Sequence, residues 1–184
     1  MTHMNGFTRA VAALALLAAS CLTWPALASS GAGAVRLAPV TIGTTLQTAL
    51  HDRLGDREGP VLQSMVADSL SRELKAAGAT LDDSAALRIE VSIEDAVPSH
   101  PTRHQLELNP ALDPVRSVSL GGARLRAVLR GADGKEIDHV DYDYRPVSLE
   151  QVSPSLDAWA DAHVTIQRFS DLVVKAWRRH SSGS

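Results

Sequence analysis

The chain has 184 residues, 45% of them hydrophobic and 21% charged, with a formal net charge of −3. This composition excludes bulk disorder and supplies one hydrophobic core, a domain usually taking about 100–200 residues. The charge balance is mildly acidic and lacks the concentrated basic surface that nucleic-acid binding requires, so no nucleic-acid partner is expected.

The first segment reads as an export signal. Arg9 supplies a positive n-region and the apolar run 10–19 follows it, too short to span a membrane. Pro25 breaks the helix, and Ala26, Leu27 and Ala28 form the small-x-small pattern accepted by a signal peptidase. Cleavage there makes residues 1–28 the signal peptide. Cys21, the only cysteine, opens a second reading. Leu17, Ala18, Ala19 and Ser20 before it resemble the lipobox of bacterial lipoproteins, with Ala18 where a bulky aliphatic residue is usual. On that reading the signal is residues 1–20, Cys21 is lipidated, and Leu22 beside it implies sorting to the outer membrane. Both readings predict export into the envelope of a Gram-negative bacterium, and with a single cysteine neither predicts an internal disulfide.

Residues 29–34 form a small-residue linker, 35–180 a single domain and 181–184 a tail. Val35 to Ile42 reads as a strand, with Pro39 placing it at an edge or bulge. Thr44 or Thr45 caps a short helix carrying Leu46, Ala49, Leu50 and Leu54, ended by Gly55. The first long helix runs from about Pro60 to Ala77, with Leu62, Val66, Leu70 and Leu74 as its buried stripe and Gly78 beyond its end. Gln63 and Glu73 intrude near that stripe. Leu87 to Glu94 alternates strictly and reads as a half-buried strand. Residues 95–114 lose all periodicity, and Pro98, Pro101, Pro110 and Pro114 predict a long loop, either functional or loosely ordered.

After Val115–Leu120, Gly121 and Gly122 mark a bulge or bend before a hairpin turning at Asp133-Gly134, a strong hairpin signal. A two-residue turn there opposes Ala132 to Lys135, Arg126 to Asp141, Arg124 to Asp143, Leu125 to Tyr142 and Ala127 to Val140. That register puts apolar residues inward and opposite charges outward. The last helix, about Leu156 to Arg179, carries a stripe of Trp159, Ala162, Ile166, Phe169, Val173, Ala176 and Trp177, over a length on the order of 35 Å. Asp157 and Asp161 at its start and Lys175, Arg178, Arg179 and His180 at its end suit the helix dipole. With Tyr142 and Tyr144 on the second hairpin strand, the aromatics are expected to pack on one another.

Candidate chemistry is sparse. His139, Asp141 and Asp143 share a strand face, but their arginine neighbours favour ion pairs over a metal. His100 and His104 have the spacing of a helical ligand pair, although Pro98 and Pro101 argue for a solvated loop. No nucleophile elbow and no phosphate-binding glycine loop occurs, so no catalytic, metal or cofactor residue is assigned.

The order strand, helix, alternating strand, long loop, hairpin and Trp-containing helix over residues 35–179 resembles small uncharacterised bacterial periplasmic proteins and lipoproteins. The stretches that carry it are Val35–Val40, Pro60–Ala77, Leu129–Glu136 and Trp159–Trp177. The resemblance implies an α+β domain like those of envelope-assembly lipoproteins and the N-terminal domain of TolB, and brings no catalytic residues with it. The expected architecture is a two-layer α+β sandwich, with a mostly antiparallel sheet of four or five strands and two main helices on one face. The expected function is that of a non-enzymatic envelope protein, binding a protein partner or assisting assembly, touching the membrane only through a lipid at Cys21. The alternative is a small hydrolase or metal-dependent enzyme using the 95–114 loop.

Overall fold

The structure is a computed structural model and describes residues 33–181. The signal, Cys21 and most of the linker therefore lie outside the described residues. Its centre is a six-stranded sheet in the order β3-β1-β4-β5-β6, with β2 pairing β4 beyond β1. The strands are β1 (Ala34–Leu37), β2 (Thr41–Ile42), β3 (Thr80–Leu81), β4 (Arg88–Val97), β5 (Gly122–Arg130) and β6 (Glu136–Tyr144). The three long strands pair antiparallel, and the short ones join in parallel. This is the expected two-layer α+β class, with more strands than the sequence suggested because β3 is too short to show a period. Pro39 splits the first predicted strand into β1 and β2, as its missing N–H requires.

Helix α1 (Thr44–Ala49) continues into a π-helical turn, Leu50–Leu54, which Gly55 ends at φ 99°. Its N-cap is Gly43, without a side-chain cap, so neither Thr44 nor Thr45 caps it. Helix α2 spans Glu58–Ala76 and begins before Pro60, which sits in its first turn. Leu62, Val66, Leu70 and Leu74 are all fully buried, as the stripe predicts. Gln63, the polar side chain beside that stripe, anchors the backbone next to Pro39: its Nε2 donates to the Val40 carbonyl at 2.6 Å.

Helix α4 (Ala160–Ser181) starts later than predicted and packs beside α2 on the same sheet face, where Ser69 and Ser170 share a buried 3.0 Å hydrogen bond. Ile89, Val91 and Ile93 of β4 and Leu125, Ala127 and Leu129 of β5 meet the helices and are buried. Side chains of opposite parity point away and are mostly charged: Arg130 Nε donates to Glu90 at 2.7 Å, Arg88 also pairs with Glu90, and Arg126 clasps Asp141 with bonds of 3.0 and 2.9 Å. Period-2 alternation thus separates core from an open, ion-paired face.

The hairpin turn differs from expectation. Gly131 N–H donates to Lys135 O and Gly134 N–H to Gly131 O, which makes Ala132, Asp133 and Gly134 a three-residue loop, with Gly134 at φ 76°. The expected Ala132–Lys135 pairing is therefore absent. A bulge between Leu129 and Arg130 restores the register, so Arg126 opposes Asp141 and Leu125 opposes Tyr142 as predicted. Arg124 opposes Asp143 too, but of these two couples only Arg126–Asp141 closes into a salt bridge. No atom lies within 4 Å of a Cβ built on Gly134. Gly134→Val is therefore expected to cost only the backbone strain, about 1–2 kcal/mol, and Asp141→Asn less than about 1 kcal/mol, in chemical denaturation.

Four of the five aromatic side chains expected to pack together share one hydrophobic cluster, and Tyr144 lies outside it. Tyr142 packs on the core cluster that holds Trp159, Phe169 and Trp177, and over Tyr144 lies the Arg168 guanidinium, 4.4 Å from the ring centroid. At the far end of α4, Arg179 Nη2 and His180 Nε2 reach Asp138 Oδ2 at 2.8 and 3.0 Å. Hydrogen bonding from Arg179 first, then from His180 and the His139 N–H, holds the Asp138 carboxyl below the usual carboxylate range. A depressed folded-state value stabilises the fold above the unfolded pKa and is lost as pH falls through the folded one. Asp138→Asn is expected to flatten the acid limb of the stability curve, measured as denaturation midpoint against pH.

Candidate functional site

The proline-rich stretch after β4 is not the uniform loop that its composition predicts. Strand β4 runs on to Val97, and Arg103–Leu108 forms a helix, α3. Thr102 is its N-cap in a capping box: its hydroxyl accepts from the Gln105 N–H at 3.3 Å and the Gln105 side chain accepts from the Thr102 N–H at 3.0 Å. The Thr102-x-x-Gln105 pair is the sequence signature of such a box. The surrounding prolines hide it, although they flank the helix rather than interrupt it.

Two buried side chains pin this segment. Thr102 Oγ1 donates to Leu54 O at 2.7 Å, tying α3 to the end of the π-helical turn. Gly55 permits that approach, because a Cβ there would sit 2.9 Å from His104 Cβ. Ser99 binds the segment to the start of α4: its hydroxyl donates to Asp161 Oδ2 at 2.7 Å, its N–H to Ala158 O at 2.7 Å, and its carbonyl accepts from Ser119 N–H at 2.9 Å. Asp161, expected from sequence to act on the helix dipole, is 3% exposed, and its Oδ1 also accepts from the Ser153 N–H at 2.8 Å.

Beneath the pinned segment lies a cavity of about 530 Å³. Its walls come from α1 and the π-helical turn (Ala49, Arg53, Leu54), the end of β4 (Asp95 to Pro98), the segment 100–119 and Arg145 after β6. Arg145 Nη2 meets Asp95 Oδ2 at 2.6 Å. His100 lines the cavity, is 6% exposed, and its Nδ1 has no hydrogen-bond partner. The two serines on the wall are engaged with backbone: Ser119 Oγ donates to Pro98 O, and Ser117 Oγ accepts from Asp113 N–H. Volume, apolar floor and a few convergent polar groups suit a small-molecule pocket.

The structure separates the sequence's candidate ligand pair. His100 lines this cavity, whereas His104, on α3, lines a neighbouring one with His51, Asp56 and Glu107. On the outer sheet face, His139 Nδ1 lies 3.1 Å from Glu136, and its Nε2 is 3.9 Å from Asp141, which Arg126 already holds. Among the described residues no three His, Cys, Asp or Glu side chains are placed to hold a metal ion. Sequence reasoning missed the cavity itself, since its walls come from separate segments that only the sheet brings together.

Side chains exposed on the two pinned segments form a second feature. Leu108, Val115, Val118 and Leu120 precede β5, and Val147, Leu149 and Leu156 lie between β6 and α4. Val147 is 82% exposed. Both segments leave the end of the sheet where β4 finishes, opposite the end where β1 begins.

The fold is that of a small α+β protein with two helices on one face of a mixed sheet. No family model matches the chain, and no curated protein matches it in sequence. Solved structures similar to it include the following three. A Xanthomonas campestris protein described by the DUF330 family model has 12% identity and a TM-score of 0.49, covering 85% of this chain and 93% of that one. A PelC variant from Paraburkholderia phytofirmans has 10% identity and a TM-score of 0.42, covering 76% and 84%. A minor lipoprotein from Acinetobacter baumannii has 9% identity and a TM-score of 0.34, covering 82% and 93%. At these values each is a likeness, and no property of those proteins is carried over.

Proposed function

We propose that this chain is an exported, non-enzymatic protein of the cell envelope, a binding or assembly accessory that docks a protein partner at the end of its sheet. The observation that carries this reading is the set of exposed apolar side chains on two segments that leave the same end of the sheet and are fastened through Ser99 and Asp161. Exposed apolar groups on an anchored surface mark interaction sites, because leaving them in water is unfavourable and holding them in place lowers the entropy lost on docking. A protein fits better than a lipid surface. Glu107, Asp113 and Glu150 are interleaved with the apolar side chains and outnumber Arg116, the one cation among them, so the negative potential of anionic lipid repels this surface on balance. The leader and Cys21 supply export, and β1 enters the sheet at the end away from these segments, a strand length of about 30 Å from the docking surface.

Site-specific photo-crosslinking in cells tests this. Probes at Val147 and Leu156 are expected to capture the same protein, a probe at Lys135 in the opposite hairpin turn is not, and Val147→Asp with Leu156→Asp is expected to abolish capture. Turnover of a substrate by the purified domain, lost on single substitutions in the 95–114 segment, would overturn the reading in favour of a hydrolase.

A further inference from the structure

Strand β6 ends the sheet, and among the described residues nothing pairs with its far side. An edge strand offers a row of N–H and C=O groups to a further strand. Which groups these are follows from the ladder. Arg36, Ala38 and Gly43 donate their N–H groups to the Leu87, Ile89 and Ile93 carbonyls at 2.9 Å each, so the even-numbered residues 88, 90 and 92 face β5. Carried through the pairs Glu90–Val128 and Ala127–Val140, that alternation turns the backbone of Val140 and Tyr142 toward β5 and leaves that of His139, Asp141 and Asp143 on the open edge. The His139 N–H agrees, since it donates at 2.9 Å to the Asp138 side chain.

We infer that this edge pairs antiparallel with the same edge of a second copy, about a two-fold axis at Val140, joining two sheets into one. A two-fold pairing sets each outward residue opposite another outward residue, so only the position of the axis is free. With the axis at Val140, His139 lies opposite Asp141 of the second copy, twice, on the outer face. On the helix side Val140 meets its own copy, and Asp138 lies opposite Tyr142. An imidazole N–H donates to a carboxylate, and complementary cross-strand pairs stabilise whereas like charges directly opposite destabilise. Moving the axis by one residue sets Asp141 against Asp141 or His139 against His139. Moving it by two sets Asp141 against Asp143 or Asp138 against Asp138. Charges that turn unmatched strands away from an edge therefore admit one self-pairing here. The existing contacts largely persist: Asp141 stays with Arg126, and Asp138 gives up the His139 N–H but keeps Arg179 and His180.

Sedimentation equilibrium and disulfide mapping of the exported chain test this. The parent is expected to form a concentration-dependent dimer, weakened roughly tenfold or more by His139→Asp, which sets aspartates against each other. His139 is exposed, so that variant is expected to keep the parent's melting temperature. The mapping uses a Cys21→Ser background, which holds no other cysteine. In the inferred register the two Val140 residues form a non-hydrogen-bonded pair with Cα atoms about 4.5 Å apart, within the span of a disulfide. Val140→Cys is therefore expected to link two chains under mild oxidation, while His139→Cys and Asp141→Cys, each facing a different residue, stay unlinked. Linking at Asp141→Cys or His139→Cys in place of Val140→Cys, or a dimer that His139→Asp leaves unchanged, would overturn the inference. So would a parent chain that stays monomeric up to its solubility limit, which would leave the edge to a strand of a different protein.

Discussion

Gly122→Ala is expected to lower stability by about 3–5 kcal/mol, a drop of roughly 10 °C or more in melting temperature for a domain of this size. Gly122 opens β5 opposite Val97 and holds φ at 143°, where a side chain is strained. A Cβ there would also collide with the carbonyl oxygen of Tyr144 and come within 3.2 Å of Arg145 Cα. Both obstacles are backbone and cannot rotate aside. Strain and overpacking therefore add, whereas at Gly134 and at Gly78, at φ 92°, the space is open and strain acts alone. Thermal unfolding by circular dichroism with Gly78→Ala as the reference checks this. Gly122→Ala within about 0.5 kcal/mol of the parent would mean that the entry to β5 is wrongly described.

Gly122 also shows what the sequence can encode. The Gly121-Gly122 pair reads as a bend because two adjacent glycines before an alternating run have few other uses. The hairpin register is legible for a similar reason: apolar inward and opposite charges outward agree on only one alignment. Its turn is not, because a two-residue loop and a three-residue loop followed by a bulge give the same pairing from Leu129 inward. The parallel pairing of β1 with β3 and β4 has no local signal, since β3 is two residues long. For α3 the signal exists in Thr102 and Gln105. The cavity has none, because Arg53, His100 and Arg145 line it from segments far apart in sequence. Asp161 reads as a helix-dipole residue because sequence gives charge and position but not burial.

Asp161→Ala is expected to cost about 3–4 kcal/mol, since charge-assisted hydrogen bonds contribute about 1.5–3 kcal/mol each and their buried partners stay unsatisfied. The carboxylate accepts from the Ser99 hydroxyl at 2.7 Å through Oδ2 and from the Ser153 N–H at 2.8 Å through Oδ1. The Asp161 N–H returns a bond to the Ser99 oxygen at 3.2 Å. Asp161→Asn is expected to cost less, about 1–2 kcal/mol: its amide oxygen still serves Ser153 and its NH₂ can donate to Ser99, whose hydroxyl accepts as well as donates. Ser99→Ala removes the same link from the other side, so the double variant Ser99→Ala with Asp161→Ala is expected to cost less than the sum of the singles. Asp161 holds the 147–156 segment directly through Ser153 and positions Ser99, whose carbonyl holds Ser119, so Asp161→Ala is also expected to speed limited proteolysis within 147–156 and, through Ser99, within 108–120, while the hairpin turn at 131–135 keeps its parent rate. Additive costs, or proteolysis that rises in only one segment, would mean that the two segments are held independently and that the proposed docking surface is not one unit.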